Sequence, residues 1–294
     1  MGRGCGERAR VLKEEELKGA GLAVAATVCF STGAVLVRFA QALSPFEVTS
    51  FRLLLGAAFV GAAARTRGVP LALDGPLRLQ VVAVGLVAAL HFLTFITSFY
   101  YTTIAHALTL TYTAPVMLAV VSRIFLGERL RPRQTLGILL TVAGIAVLAG
   151  FEAALTARML GGDLLALGAA ASFAAYSLLG RHLRSALPLL RYVFWAYLTA
   201  GLVTLPLAAA TLTAPYSVGP LVAVALQALL PLALGHTLYN AAIRRLSPTM
   251  ASLIASQEVA GGVLLGWLLL GEAGTPTTFA GMAVTLAGVL LVLW

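Results

Sequence analysis

Leu126-Gly127-Glu128-Arg129-Leu130-Arg131-Pro132 and Leu270-Gly271-Glu272-Ala273-Gly274-Thr275-Pro276 are two copies of one segment, and the second lacks the arginines of the first. The shift of 144 that aligns them also superimposes Ala107 on Ala251, Gly137 on Gly281, Thr141 on Thr285 and Gly144 on Gly288. Farther upstream the shift becomes 143, pairing Phe30 with Phe173, Arg38 with Arg181, Pro45 with Pro188 and Phe51 with Phe194. Nearly the whole chain is therefore a duplication. Arg129, Arg131 and Arg133 crowd the first copy, whereas the second has no Lys or Arg. Basic loops stay on the cytoplasmic side of a membrane, so the two copies are predicted to face opposite sides. Inverted repeats of this kind build secondary transporters.

The composition supports a membrane location. Of 294 residues 60% are hydrophobic and 11% charged, with a mean hydropathy of +0.95, against an apolar share of about 45–50% in soluble domains. Apolar runs of about 20 residues, long enough to cross a roughly 30 Å hydrocarbon core, recur ten times. They lie near Leu17 to Phe39, Pro45 to Ala64, Leu77 to Phe99, Thr103 to Ile124, Pro132 to Gly150, Gly162 to Arg181, Leu189 to Thr211, Val218 to Ile243, Pro248 to Leu270 and Pro276 to Trp294. Five spans per copy is an odd number, and an odd number inverts the second copy. The predicted fold is an all-α integral membrane protein with ten transmembrane helices in two inverted five-helix repeats, N-in and C-in. Residues 1–16 form a cytoplasmic tail, 17–150 the first repeat and 162–294 the second.

With both termini in the cytoplasm, 17 of the 20 Lys and Arg residues fall on the inner side. Only Arg38 and Arg158 lie outside, and Arg52 sits within the second span. The net charge of +9 is thereby a topology signal with an affinity for anionic inner-leaflet lipid, and no nucleic-acid partner is expected. The first apolar run is too long for a cleavable signal peptide and is expected to remain as an anchor. Cys5 and Cys29 cannot make a disulfide framework. Arg outnumbers Lys 18 to 2, which points to a GC-rich bacterium and hence to a multi-pass protein of its inner membrane. Ser44-Pro45-Phe46-Glu47 reads as a capping box with Pro at the first helical position, and Ser247-Pro248 and Thr275-Pro276 repeat the cap and Pro. Glu7 to Lys18 is either a short surface helix or disordered.

Connections are short, so function must lie inside the bundle. A carboxylate at mid-span costs roughly 2.5–3.5 kcal/mol on insertion scales, and Glu258, about ten residues into the ninth span beside Ser256, is such a residue. It is read as a ligand for a substrate ammonium or as a proton carrier; an ion pair with Arg52, or a permanently protonated carboxyl, is the structural alternative. His91 lies mid-span with Thr94, Ser98 and Tyr101 on the face that repeats every three and four residues. His236, Tyr239 and Asn240 share a face just after Pro231, where a kink would free backbone carbonyls. Either histidine could instead be a packing residue held by a hydrogen bond. Thr109, Thr111, Tyr112 and Thr113 precede Pro115, and Tyr112 with Tyr100, Tyr101 and Tyr239 would give a cavity aromatic walls, Tyr100 and Tyr101 serving equally well in an interfacial belt. The candidate substrate-binding set is thus His91, Thr94, Ser98, Tyr101, Tyr112, His236, Tyr239, Asn240, Ser256 and Glu258.

Gly262 and Gly266, and the faces Gly137/Thr141/Gly144 and Gly281/Thr285/Gly288, are read as close helix contacts. Glu128 and Glu272 are expected to satisfy helix N-termini. Enzyme signatures such as HExxH, GxSxG and a Gly-rich phosphate loop do not occur, and the 11 acidic residues are too few and too peripheral to bind a catalytic metal. No cofactor is expected.

With the Leu-Gly-Glu segment followed by a Gly-x6-Gly helix in both halves, residues 17 to 294 resemble the drug/metabolite transporter superfamily, specifically its EamA-type ten-helix exporters. One departure is that Pro115 becomes Val259 in the second half and Ala114 becomes Glu258. The pattern is most similar to the aromatic amino acid exporter branch. That resemblance implies efflux of aromatic and other neutral amino acids through a central cavity lined by the third, fourth, eighth and ninth helices, with protons as a candidate coupling ion. Export of another small metabolite or a cationic drug is the alternative, and an intramembrane enzyme a more distant one.

Overall fold

The computed structural model describes residues 3–73, 75–117, 120, 131–150, 156–246, 251, 254–272 and 274–293. The described elements are helices throughout: α1 (Arg3–Phe39), α2 (Pro45–Thr66), α3 (Gly75–Ser98), α4 (Ile104–Thr111), α5 (Pro132–Gly150), α6 (Ala157–Ala186), α7 (Leu189–Ala210), α8 (Val218–Ala242), α9 (Glu258–Leu270) and α10 (Pro276–Leu293). Six of them, α1, α2, α3, α6, α7 and α8, contain segments long and apolar enough to cross a membrane. Large apolar side chains such as Leu79, Leu86, Leu202 and Leu268 are exposed on the outside of the bundle. Lipid accommodates such a surface where water would not.

Local chemistry sets most helix ends. Ser44 caps α2 through a capping box with Glu47, and Pro45 stands in the first turn. Thr275 accepts from the Thr278 amide ahead of Pro276, so this second cap and Pro also form. Ser247-Pro248 and the first Leu-Gly-Glu copy, with Glu128, lie outside the described residues. The tail is not a separate surface helix, because α1 runs unbroken from Arg3 into the first span.

Helices that occupy the same place in the two halves meet each other. α2 packs on α7 and α5 on α10. A Cβ on Gly144 would lie 2.4 Å from the Thr285 amide nitrogen, and one on the equivalent Gly288 would lie 2.5 Å from that of Thr141. Position 137 of α5 meets Val292 of α10 and position 144 meets Thr285, so the two helices run antiparallel. The small-residue faces are therefore an interhelical contact, as their spacing suggested. Gly262 and Gly266 of α9 likewise take in Leu108 and Ile104 of α4. The other contacts follow the same exchange: α1 packs on α8 and α9 as α6 packs on α3 and α4.

Polar ties concentrate at one end of the bundle. Arg38 grips Glu272 through two hydrogen bonds, Nε to Oε2 and Nη2 to Oε1, each 2.9 Å, and also donates to the backbone oxygens of Phe99 and Thr102. Glu272 accepts in turn from the Ile104 amide at 2.5 Å. It does satisfy a helix N-terminus, but that of α4 rather than of the helix that follows it. Asp163 of α6 accepts from Thr102 and holds His106, buried in α4. Glu47 draws the α7–α8 connection in through Thr213 and Tyr216.

Candidate functional site

Three irregularities in the helices open the middle of the bundle. α4 ends at Thr111, and the chain turns at Tyr112-Thr113 before helical geometry resumes. Pro115 disfavours helical backbone at the residue before it and removes a donor from the turn. The second half turns at Ser256-Gln257, immediately before α9. The shift of 144 carries Tyr112-Thr113 onto Ser256-Gln257, so corresponding helices break at corresponding points. In α8 the segment Ala228–His236 widens into a π-helix around Pro231. One backbone oxygen there, that of Leu232, accepts the Tyr197 hydroxyl at 3.2 Å.

A cavity of about 120 Å³ lies where these irregularities meet. One water needs about 10–15 Å³ of cavity volume; the cavity is thus several-fold larger and can take a small molecule. Aromatic rings form much of its wall. Phe30 lies edge-on to His236 at 4.9 Å, His91 stacks on Phe95 at 5.9 Å, and His91 and Phe173 are 5.1 Å apart. His91 is tied down by a 2.9 Å hydrogen bond between Nδ1 and the Ala169 oxygen. A carbonyl only accepts, so Nδ1 carries the hydrogen of this bond.

Two charged side chains line the same cavity. Glu258, at the first position of α9, accepts the Tyr112 hydroxyl at 2.5 Å on Oε2. Arg52, buried in α2, lies over the Phe92 ring at 5.3 Å. Its Nε has no hydrogen-bond partner, and among the described residues no carboxylate oxygen comes within 4.0 Å of its guanidinium. The direct ion pair between Arg52 and Glu258 that the sequence left open is therefore not formed. Thr111 Oγ1 and Gln227 Oε1 are two further buried atoms of cavity-lining residues without a partner. Such orphaned atoms are costly unless something entering the cavity meets them.

Of the ten sequence candidates, His91, Tyr112, His236, Tyr239, Ser256 and Glu258 line this cavity. The other four do not. Thr94 donates to the Leu90 oxygen of its own helix, and its methyl points toward Gly168 of α6. Ser98 is buried and donates to Phe95 oxygen. Tyr101 is exposed at the end of the bundle under Arg158, 5.6 Å from its guanidinium carbon. The Asn240 amide donates to the His236 oxygen one turn back. Tyr100 does not line the cavity, and its hydroxyl donates to the Leu43 oxygen at 2.8 Å. Sequence reasoning missed Arg52 as a cavity residue along with Phe30, Phe92, Phe95, Phe173 and Gln227. Only Arg52 and Gln227, polar residues inside apolar runs, carried a signal that could have found them.

A polytopic helical bundle with broken helices around a mainly apolar cavity that holds an arginine and a glutamate fits a transporter architecture. The model of the EamA-like transporter family matches the sequence twice, over residues 17–150 and 160–294, and the chain belongs to that family. Its members are transporters of small substrates rather than enzymes. No curated protein matches the sequence. A solved structure described only as "Crystal structure of protein" superimposes with a TM-score of 0.69 at 21% identity, covering 93% of this chain and 95% of that one, a likeness of fold alone.

Proposed function

We propose that this protein is a secondary transporter that exports amino acids, aromatic and other neutral ones, across a bacterial inner membrane by alternating access. The observation that carries the reading is the cavity itself, which presents an isolated guanidinium and a carboxylate among aromatic rings. An amino acid brings an ammonium, a carboxylate and an apolar side chain, and leaving either ion uncompensated far from water is costly. Glu258 offers the counter-charge for the ammonium, and Phe30, Phe95 and Phe173 suit an aromatic or aliphatic side chain. A cationic drug would meet Arg52 as a like charge.

The two family matches and the antiparallel packing of α5 on α10 support two inverted repeats, residues 17–150 and 162–294, with both termini in the cytoplasm. In alternating access one repeat rocks against the other around the fixed cavity. The ties of Arg38 and Glu272 would close the outer end and release as the cavity opens outward. Counterflow in proteoliposomes tests the reading: internal phenylalanine, leucine or tyrosine should accelerate uptake of labelled phenylalanine, run with and without a pH gradient. Counterflow with organic cations and none with any amino acid would overturn it.

A further inference from the structure

Arg52 is a buried cation with no carboxylate oxygen within 4.0 Å among the described residues. The cost of removing a guanidinium from water is offset in folded proteins by a carboxylate and by hydrogen bonds to its donors. Arg52 has a ring face, that of Phe92 at 5.3 Å, and an Nε with no acceptor. Glu258, which lines the same cavity, stays beyond 4.0 Å and accepts from Tyr112 instead. The planar guanidinium fork matches a carboxylate in two parallel hydrogen bonds, an arrangement that an ammonium or a neutral amide cannot make.

Neutral donors at the cavity, the Thr111 hydroxyl and a ring N–H of His236 among them, can offer a carboxylate hydrogen bonds but no fixed charge. Asn240 lies outside the cavity with its amide on the His236 oxygen, and the Nδ1 hydrogen of His91 is taken by Ala169. The Gln227 amide nitrogen gives one hydrogen to the Gly33 oxygen, and its unpartnered Oε1 is an acceptor that a carboxylate would not meet. Among the described residues that line the cavity, Arg52 is the one Lys or Arg, and its Nε donor is unused.

We infer that Arg52 is the carboxylate anchor of the transport site, so that the protein selects substrates bearing a free carboxylate and rejects their esters, amides and decarboxylated amines. This rests on the reading of the cavity as a substrate site and adds the group that decides specificity. The amino acid would lie with its carboxylate on Arg52 and its ammonium toward Glu258.

The test is binding of four probes to the purified full-length protein in lipid nanodiscs, read by calorimetry: phenylalanine, phenylalanine methyl ester, phenethylamine and 3-phenylpropionate. Phenylalanine should bind roughly tenfold to a hundredfold more tightly than its ester, the loss expected when a charged hydrogen-bond partner is removed. In Arg52→Gln that ratio should collapse toward one, and Arg52→Lys, a charge without the fork, should fall between. The wild-type ratio tests the inference even if the variants fail to fold. Equal binding of phenylalanine and its ester would overturn the anchor while leaving amino acid transport standing. Binding of 3-phenylpropionate alone, abolished in Arg52→Gln, would support the anchor and overturn the amino acid reading. Phenethylamine alone, or none of the four, would overturn both.

Discussion

One oxygen of Glu258 accepts from Tyr112 at 2.5 Å, so the carboxylate is oriented within the cavity. That preorganisation suits an ammonium site, since the acid does not have to be positioned at the moment of binding. Glu258→Gln is expected to lower gradient-driven export and passive exchange together, by about tenfold or more, because the ammonium loses a charged partner. Loss of gradient-driven export alone would reassign Glu258 to carrying a proton, and normal flux in both assays would remove it from the mechanism. The cavity position of Glu258 was readable because a carboxylate in an apolar run needs a reason. By the same rule Arg52 was equally readable, yet counting it only as a partner for Glu258 hid its own place in the cavity wall. Thr94 and Ser98 misled for a different reason. Spacing places them on the face of His91, but α3 is packed by both α6 and α7, so that face is divided between cavity and neighbouring helix. A hydroxyl that donates to its own helix backbone needs no cavity at all.

At the scale of the element, Gly271 shows what the second Leu-Gly-Glu copy does. It ends α9 in the left-handed region at φ 66°, donating to the Trp267 oxygen while Glu272 donates to that of Gly266. A Cβ is disfavoured in that conformation by about 1–2 kcal/mol, so Gly271→Ala should lower thermal stability by that order. Gly219→Ala, in open space without a positive φ, should not. Gly144→Val should cost more, about 1–3 kcal/mol or beyond, since its Cβ would strike the backbone of Thr285 at 2.4 Å. Melting curves of these variants in detergent check the order, with Gly21→Val, which meets nothing within 4 Å, as the control; an equal effect at positions 21 and 144 would refute the contact. Helix starts at Pro45, Pro132 and Pro276 were visible because Pro and the residue before it fix the backbone locally. The break at Tyr112 had Pro115 to announce it. Its counterpart at Ser256 has Val259 in the equivalent place, and nothing local in the sequence marks that turn.

For the whole molecule, the exchange of contacts between halves is what makes inversion testable. Gly144 meets Thr285 as Gly288 meets Thr141, and residue numbers rise along α5 as they fall along α10. The duplication was readable in the repeated Leu-Gly-Glu segment, but the pairing of α5 with α10 was not, because spacing marks a contact face without naming what it touches. Two homologous helices packed antiparallel, one beginning at Pro132 and the other at Pro276, place those starts at opposite ends of the pair. Arg131 and Arg133 flank the start of α5, whereas no Lys or Arg precedes α10 between Gly271 and Thr275. From charge bias the α5 start is predicted to be cytoplasmic and the α10 start external. In a background from which Cys5 and Cys29 have been removed, Arg131→Cys should resist a membrane-impermeant thiol reagent added to intact cells and react only after permeabilisation. Gly274→Cys, in the connection between α9 and α10, should react in intact cells. Labelling of both from the same side would break the inverted-repeat reading. Labelling of Arg131→Cys alone in intact cells would preserve the inversion and reverse the orientation, carrying the Arg38 and Glu272 ties to the cytoplasmic end.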